Sequence, residues 1–186
     1  MSKETFLSIY REHITRPGSA ELLAYLEKTD FFAAPASTRF HSSHDGGLCE
    51  HSLCVYSQLK RLHSIYPEIE ASEESLAICG LLHDICKAGC YKIEMRNKKE
   101  NGQWVQVPFY TFQENFPFGS HGGKSVFLLT RFIRPTIEEA VAINCHMGNE
   151  DGKYTVSASY EKYPLAWLLH VADEAATYLD EKKEEK

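Results

Sequence analysis

Apolar residues recur at helical spacing through most of the chain. KETFLSIYREHI (residues 3–14) and SAELLAYLEKTDFF (19–32) each carry such a stripe, and Pro17-Gly18 separates them. Ser19 is the expected cap of the second segment. A longer helix is predicted from near Gly47 to about Tyr66, with the stripe Leu48, His51/Ser52, Val55, Leu59 and Leu62, and Pro67 follows it. The next begins after Ser72, where SEES resembles a capping box with Ser72 and Ser75 as candidate caps. Its periodicity runs through Leu76, Cys79 and Leu82 to about Lys87, and Gly89 stops it.

Residues 91–114 break this pattern. YKIEMRNKKENGQWVQVPFYTF alternates, contains the Asn101-Gly102 turn signal and is rich in aromatics, so a β-hairpin is predicted there. Helical spacing resumes from His121 to Phe132. It returns in TIEEAVAINCHM, between Pro135 and Gly148, and in PLAWLLHVADEAATYLDE, which opens on Pro164. The expected fold is all-α, a helical bundle with one small inserted β-hairpin at about 91–114. It is read as one domain over residues 1–186, and no repeat or low-complexity linker divides it.

Composition adds limits. The chain has 186 residues, 43% of them apolar and 25% charged, the balance of a globular protein with a real core. No apolar run approaches the roughly 20 residues of a membrane helix. The segment MSKETFLSIYREH lacks the long apolar stretch and cleavage site of a signal peptide, so a cytoplasmic protein is expected. Six scattered cysteines form no C-x-x-C pair, and they are expected to be reduced and largely buried. The net charge of −6 argues against a dedicated nucleic-acid surface, since the one basic cluster is RNKKE. A small phosphorylated substrate, held by a local Lys or Arg, remains compatible with it.

The chemistry lies on the apolar faces. In GLLHDICKAG, His83 and Asp84 follow Leu81-Leu82 directly. His51 shares the stripe of Leu48 and Val55. His121 and His146 sit on later helices. Asp173 lies beside Leu165, Leu169, Ala172, Ala176 and Leu179. Burying these groups together without a common partner would cost several kcal/mol each. A divalent metal is the simplest shared partner for imidazole and carboxylate, and facing helices of a bundle converge on their core.

In order along the chain, GGLCEHS, LLHDICK, SHGGKS, INCHMG and LHVADEA resemble the HD-domain metal-dependent phosphohydrolase superfamily over residues 39–180. The resemblance implies that His51, His83, Asp84 and Asp173 bind one metal. It implies a second ion on His121 and His146, bridged by Asp84, as in two-metal members. The ions would be divalent transition metals (Fe, Mn, Zn, Ni or Co), with Mg possible. It further implies hydrolysis of a nucleotide or other small phosphate ester through a metal-activated hydroxide. Relatives with the same six ligands include di-iron oxygenases, and a non-catalytic ligand-binding module is the third alternative. Many relatives have Gly where this chain has Cys86, though Lys87 is in place.

Asp84 and Lys87 are the expected catalytic residues. On a helix, His83 and Asp84 would stand about 100° apart and straddle a metal. Lys87, expected on the same helix, is a candidate phosphate contact. His44, Lys124 and Ser125 are candidate substrate contacts too, with Lys124 and Ser125 on the helical face of His121. His170 is expected to serve helix packing or the site. Arg96, Lys98 and Lys99 are rim candidates, and His13, His41 and His63 are expected at the surface. The sequence leaves oligomeric state open.

Overall fold

Helix α1 (Ser2–His13) and helix α2 (Ser19–Lys28) bring Phe6, Tyr10, Leu22 and Leu26 into the interior, where Phe31 joins them. The computed structural model describes residues 2–38, 42–148 and 156–181. Gly18, at φ 90°, holds the N-cap position of α2 that was expected for Ser19, and Ser19 is instead its first residue. The helix also stops at Lys28, short of Phe32, because the Thr29 hydroxyl bonds back to the Leu26 carbonyl at 2.9 Å and closes the turn.

Helix α3 (Gly47–Ile65) and helix α4 (Glu73–Leu82) form the centre of the bundle. The side chains of α4 are buried from Leu76 through Leu82, which explains a helix apolar all round. Ser72 caps it by accepting from the Ser75 N–H at 3.0 Å. Gly80 permits the close crossing of α3, since a Cβ there would lie 2.6 Å from the Tyr56 Cα. Gly80→Ala should therefore destabilise the fold by about 1–3 kcal/mol of overpacking. That exceeds the roughly 1 kcal/mol by which alanine favours a helix over glycine. A lowered urea midpoint checks it, and an unchanged or raised midpoint would refute the close-packing argument.

The hairpin follows. Strand β1 (Tyr91–Glu100) pairs antiparallel with strand β2 (Gln103–Phe112) across an Asn101-Gly102 turn, with Tyr91 opposite Phe112 and Met95 opposite Pro108. From Lys92 onward every residue of β1 is exposed. The base is tied down by the Tyr91 hydroxyl on the Ala36 carbonyl at 3.0 Å and by the Tyr110 hydroxyl on Asp45.

Helix α5 (His121–Thr130), α6 (Ile137–Cys145), α7 (Ser157–Lys162) and α8 (Pro164–Ala175) complete the bundle, and a π-helical turn, Ala176–Asp180, extends α8. Thr136 and Glu139 form a capping box at the start of α6. The fold is thus an all-α bundle with one small inserted hairpin, as expected. All six cysteines are free, five of them buried and Cys54 half-buried. No helix among the described residues is long and apolar enough to cross a membrane.

Candidate metal centre

The His83-Asp84 pair does not lie within helix α4. The helix ends at Leu82, His83 occupies the C-cap, and Asp84 follows at φ −106° and ψ 18° before a short 3₁₀ turn, Ile85–Lys87. This backbone region is sparsely populated and frequently houses active-site residues. The cause is His83 itself. Its Nδ1–H donates to the Gly80 carbonyl at 3.0 Å, satisfying a terminal helix carbonyl that has no backbone partner. His146 repeats the device at the C-cap of α6, where its Nδ1–H donates to the Ile143 carbonyl at 2.6 Å. Each imidazole is thereby held in one orientation with Nε2 facing inward.

His51 faces them from α3. Its Nδ1–H donates to Glu181 Oε1 at 2.8 Å, and its Nε2 lies 3.3 Å from His83 Nε2 and 3.2 Å from Asp173 Oδ1. Asp84 is the hub. Its Oδ1 lies 2.5 Å from His121 Nε2 and 3.4 Å from His146 Nε2, while Oδ2 lies 2.6 Å from Lys87 Nζ and 3.7 Å from His51 Nε2. His51, His83, His121 and His146 thus face the Asp84 carboxylate, and Asp173 joins the cluster through His51.

Their chemistry fits a divalent ion. Donor atoms of His51, His83 and Asp84 lie within 4.8 Å of one another, as do those of His83, His146 and Asp173. His146 Nε2 is buried without a hydrogen-bond partner, and no other buried side-chain nitrogen or oxygen among the described residues is in that state. Burial pushes the His83 imidazole down to about 4, so it is neutral and free to ligate. Hydrogen bonds and neighbouring cations, Lys87 first, outweigh burial and hold Asp84 well below the usual carboxylate range.

His51 behaves differently. Burial disfavours its charge, but the Asp173 and Glu181 carboxylates outweigh burial and push it up to about 9. Without a metal it carries a proton at neutral pH. That charge supports the metal-free fold below its ordinary pKa of 6.5, and the support is lost as pH rises through about 9. A metal at Nε2 must displace the proton. Uptake of the ion held by His51 is expected to release about one proton at neutral pH, and its affinity should rise with pH up to about 9. Calorimetry in buffers of different ionisation enthalpy measures this release. Uptake without proton release would show that Nε2 does not bind the ion.

The expected substrate contacts fare unevenly. The Lys87 side chain is only 14% exposed, and its ammonium is paired to Asp84. Burial opposes its charge, yet Asp84 outweighs burial and raises its pKa, so it stays protonated. Lys124 pairs with Glu114. Ser125 is corrected: it is fully buried and accepts the Cys86 N–H at 3.3 Å, which removes it from reach of a substrate. His44 is exposed and sits 3.4 Å from Glu50, apart from the ligand cluster. His170 serves packing, its Nδ1–H donating to the His146 carbonyl at 2.7 Å. His63 contacts the Ile69 carbonyl at 2.8 Å, and His41 lies outside the described residues.

Glu181 is the partner that sequence reasoning missed. Its Oε2 also accepts from the Ser42 hydroxyl at 2.5 Å, and its own N–H donates to the Ala176 carbonyl at 3.0 Å across the π turn. A π turn inserts an extra residue per turn and recurs at functional sites. Here it rotates Glu181 onto His51.

No curated protein and no solved structure matches this chain. A family model described as HD domain matches residues 48–179, a span that takes in all six converging residues. The chain therefore belongs to the HD domain family, whose members are typically metal-dependent hydrolases.

Proposed function

We propose that this protein is a two-metal phosphohydrolase acting on a nucleotide or another small phosphate ester. The observation that carries this reading is the buried Lys87 ammonium set against Asp84, at the centre of six converging metal-type ligands. A cation held at that point suits an anionic substrate, and this favours phosphoryl chemistry over oxygen activation. His51, His83, Asp84 and Asp173 would hold one ion; Asp84, His121 and His146 would hold the other. Bound divalent ions would lower the pKa of an attacking water and neutralise charge on the phosphoryl oxygens.

The remaining work falls to the chain. Phosphoryl transfer depends mainly on positioning and charge neutralisation. The open edge of the centre is formed by His121, Lys87 and Asp173, whose side chains are 25%, 14% and 13% exposed. A phosphate entering there would find the Lys87 ammonium at the edge, and Lys87 would exchange its bond to Asp84 for one to a phosphate oxygen. Lys124 can add a second cation by leaving Glu114. His83, His146 and His51 stay fixed through their Nδ1 bonds, so the ligand cage is preorganised.

Metal analysis of the purified protein, coupled to a phosphatase screen over nucleotides and small phosphate esters, tests the reading. Hydrolysis that requires added metal supports it. A fully metal-loaded protein inactive across the screen would argue against it, and a mixed-valent iron signal would redirect it to oxygen chemistry. His121→Ala or His146→Ala should reduce bound metal from about two ions to about one per chain. If the wild type never holds more than one tight ion, the second site is wrong.

A further inference from the structure

Cys86 stands at the centre in a way that the six-ligand scheme does not use. It follows Asp84 in the 3₁₀ turn and is 8% exposed. Its Sγ lies 3.5 Å from His121 Nδ1 and 3.8 Å from His121 Nε2, the nitrogen that faces Asp84 Oδ1. Donor atoms of Asp84, Cys86 and His121 lie within 4.8 Å of one another, forming a third metal-type group. The backbone that carries the sulfur is held from both sides of the residue. The Cys86 N–H donates to Ser125 Oγ at 3.3 Å, and its carbonyl accepts from Cys90 Sγ at 3.2 Å. The unpartnered buried His146 Nε2 points at the same carboxylate oxygen from 3.4 Å.

The 3.8 Å between Cys86 Sγ and His121 Nε2 is close to what a shared ion requires. Around a tetrahedral zinc-like metal, with metal–sulfur about 2.3 Å and metal–nitrogen about 2.0–2.1 Å, the two donors stand roughly 3.5 Å apart. A simple hydrogen-bonding role would not require the carboxylate to share the group.

Resting on the two-metal reading above, we propose that Cys86 is a thiolate ligand of the second ion, beside Asp84 and His121. This half of the centre then takes a borderline-soft divalent ion such as zinc, ferrous iron or cobalt in preference to magnesium, which binds oxygen donors. On binding, the S–H proton leaves to solvent and a metal–sulfur bond takes its place; no electron is transferred.

The test is cobalt titration of the metal-free full chain under anaerobic conditions. The wild type should develop a sulfur-to-cobalt charge-transfer band in the near ultraviolet as the second site fills. Cys86→Ser, which keeps a hydrogen-bonding group, should lose the band, and Cys90→Ser should keep it. Loss of an outer partner of a metal ligand costs about 10–100-fold in affinity, so Cys86→Ser should weaken the second ion by more than about 100-fold. A cobalt-loaded wild type without the band overturns the proposal, as does a band that survives in Cys86→Ser. If the variant does not fold, X-ray absorption of the zinc-loaded wild type decides: about one sulfur at roughly 2.3 Å for every two zinc ions is expected, and none overturns it. Failure of the wild type to take up any cobalt would remove the metal-centre reading itself. A loaded protein without sulfur coordination would remove this inference alone.

Discussion

Asp84→Ala is expected to strip the centre of metal and to lower kcat/KM by about 10³-fold or more. The carboxylate alone faces His121, His146, His51 and Lys87 together, at 2.5, 3.4, 3.7 and 2.6 Å. Charge stabilisation by a catalytic metal amounts to several kcal/mol, and each 1.36 kcal/mol is tenfold in rate. Stability should fall as well, because the Lys87 ammonium is left buried without its partner. Breaking such a pair costs about 3–5 kcal/mol. At 2–4 °C per kcal/mol for a chain of this size, the melting temperature should drop by about 6–20 °C. The two effects separate cleanly. Adding Lys87→Met to Asp84→Ala should recover most of the melting temperature and none of the metal. An Asp84→Ala protein that retains two ions would remove Asp84 as the bridge.

The second large effect lies at the other end of α6. Glu139→Ala should cost about 3–5 kcal/mol while leaving the ligand set in place. Glu139 is fully buried and accepts two bonds from Arg16, at 2.8 and 2.9 Å, with others from the Ser75 hydroxyl and the Thr136 N–H, both at 2.8 Å. Arg16 also reaches Glu74 at 3.2 Å and the Arg134 carbonyl at 3.1 Å. One carboxylate thus ties the α1–α2 connection to the starts of α4 and α6. Its loss leaves a mostly buried guanidinium with only Glu74 and the Arg134 carbonyl, and it removes the carboxylate half of the capping box. Thermal denaturation of the metal-free protein should show the drop, and metal content of the folded variant should match the wild type. Pairing Glu139→Ala with Arg16→Met should be milder than Glu139→Ala alone. A Glu139→Ala protein that melts like the wild type would show that the cluster contributes nothing.

Much of the candidate ligand cluster was legible because His51, His83, Asp84 and Asp173 sit where an apolar stripe says "buried", and a charged or imidazole side chain there demands a partner; His121, which opens α5 and is a quarter exposed, carries no such stripe. The helix end at Leu82 was not legible. Apolar periodicity continues smoothly past it, and the stop comes from the His83 ring bonding the Gly80 carbonyl, a three-dimensional act of the ligand itself. Glu139 was hidden for the opposite reason. Acidic residues in a first helical turn are ordinarily solvent-facing partners of the helix dipole, and only the arrival of Arg16 buries this one. Glu181 reads as part of a mixed-charge tail until the π turn swings it onto His51. Ser125 shows the limit of helical-face reasoning: it shares the face of His121, but the 3₁₀ turn carrying Cys86 covers it.

The hairpin makes its ladder bonds with itself and meets the bundle through Tyr91 and Tyr110 at its base. Ile93, Met95 and Trp104 stand exposed on one face, while the candidate ligands come from segments that do not share that sheet. Selection therefore acts on the two parts separately. Most substitutions toward the tip neither open a cavity in the core nor move a ligand, so this arm can accumulate change quickly. The cage around Asp84 tolerates almost none. A lineage built this way can rewrite the outer part of the arm while inheriting the cluster around Asp84 unchanged.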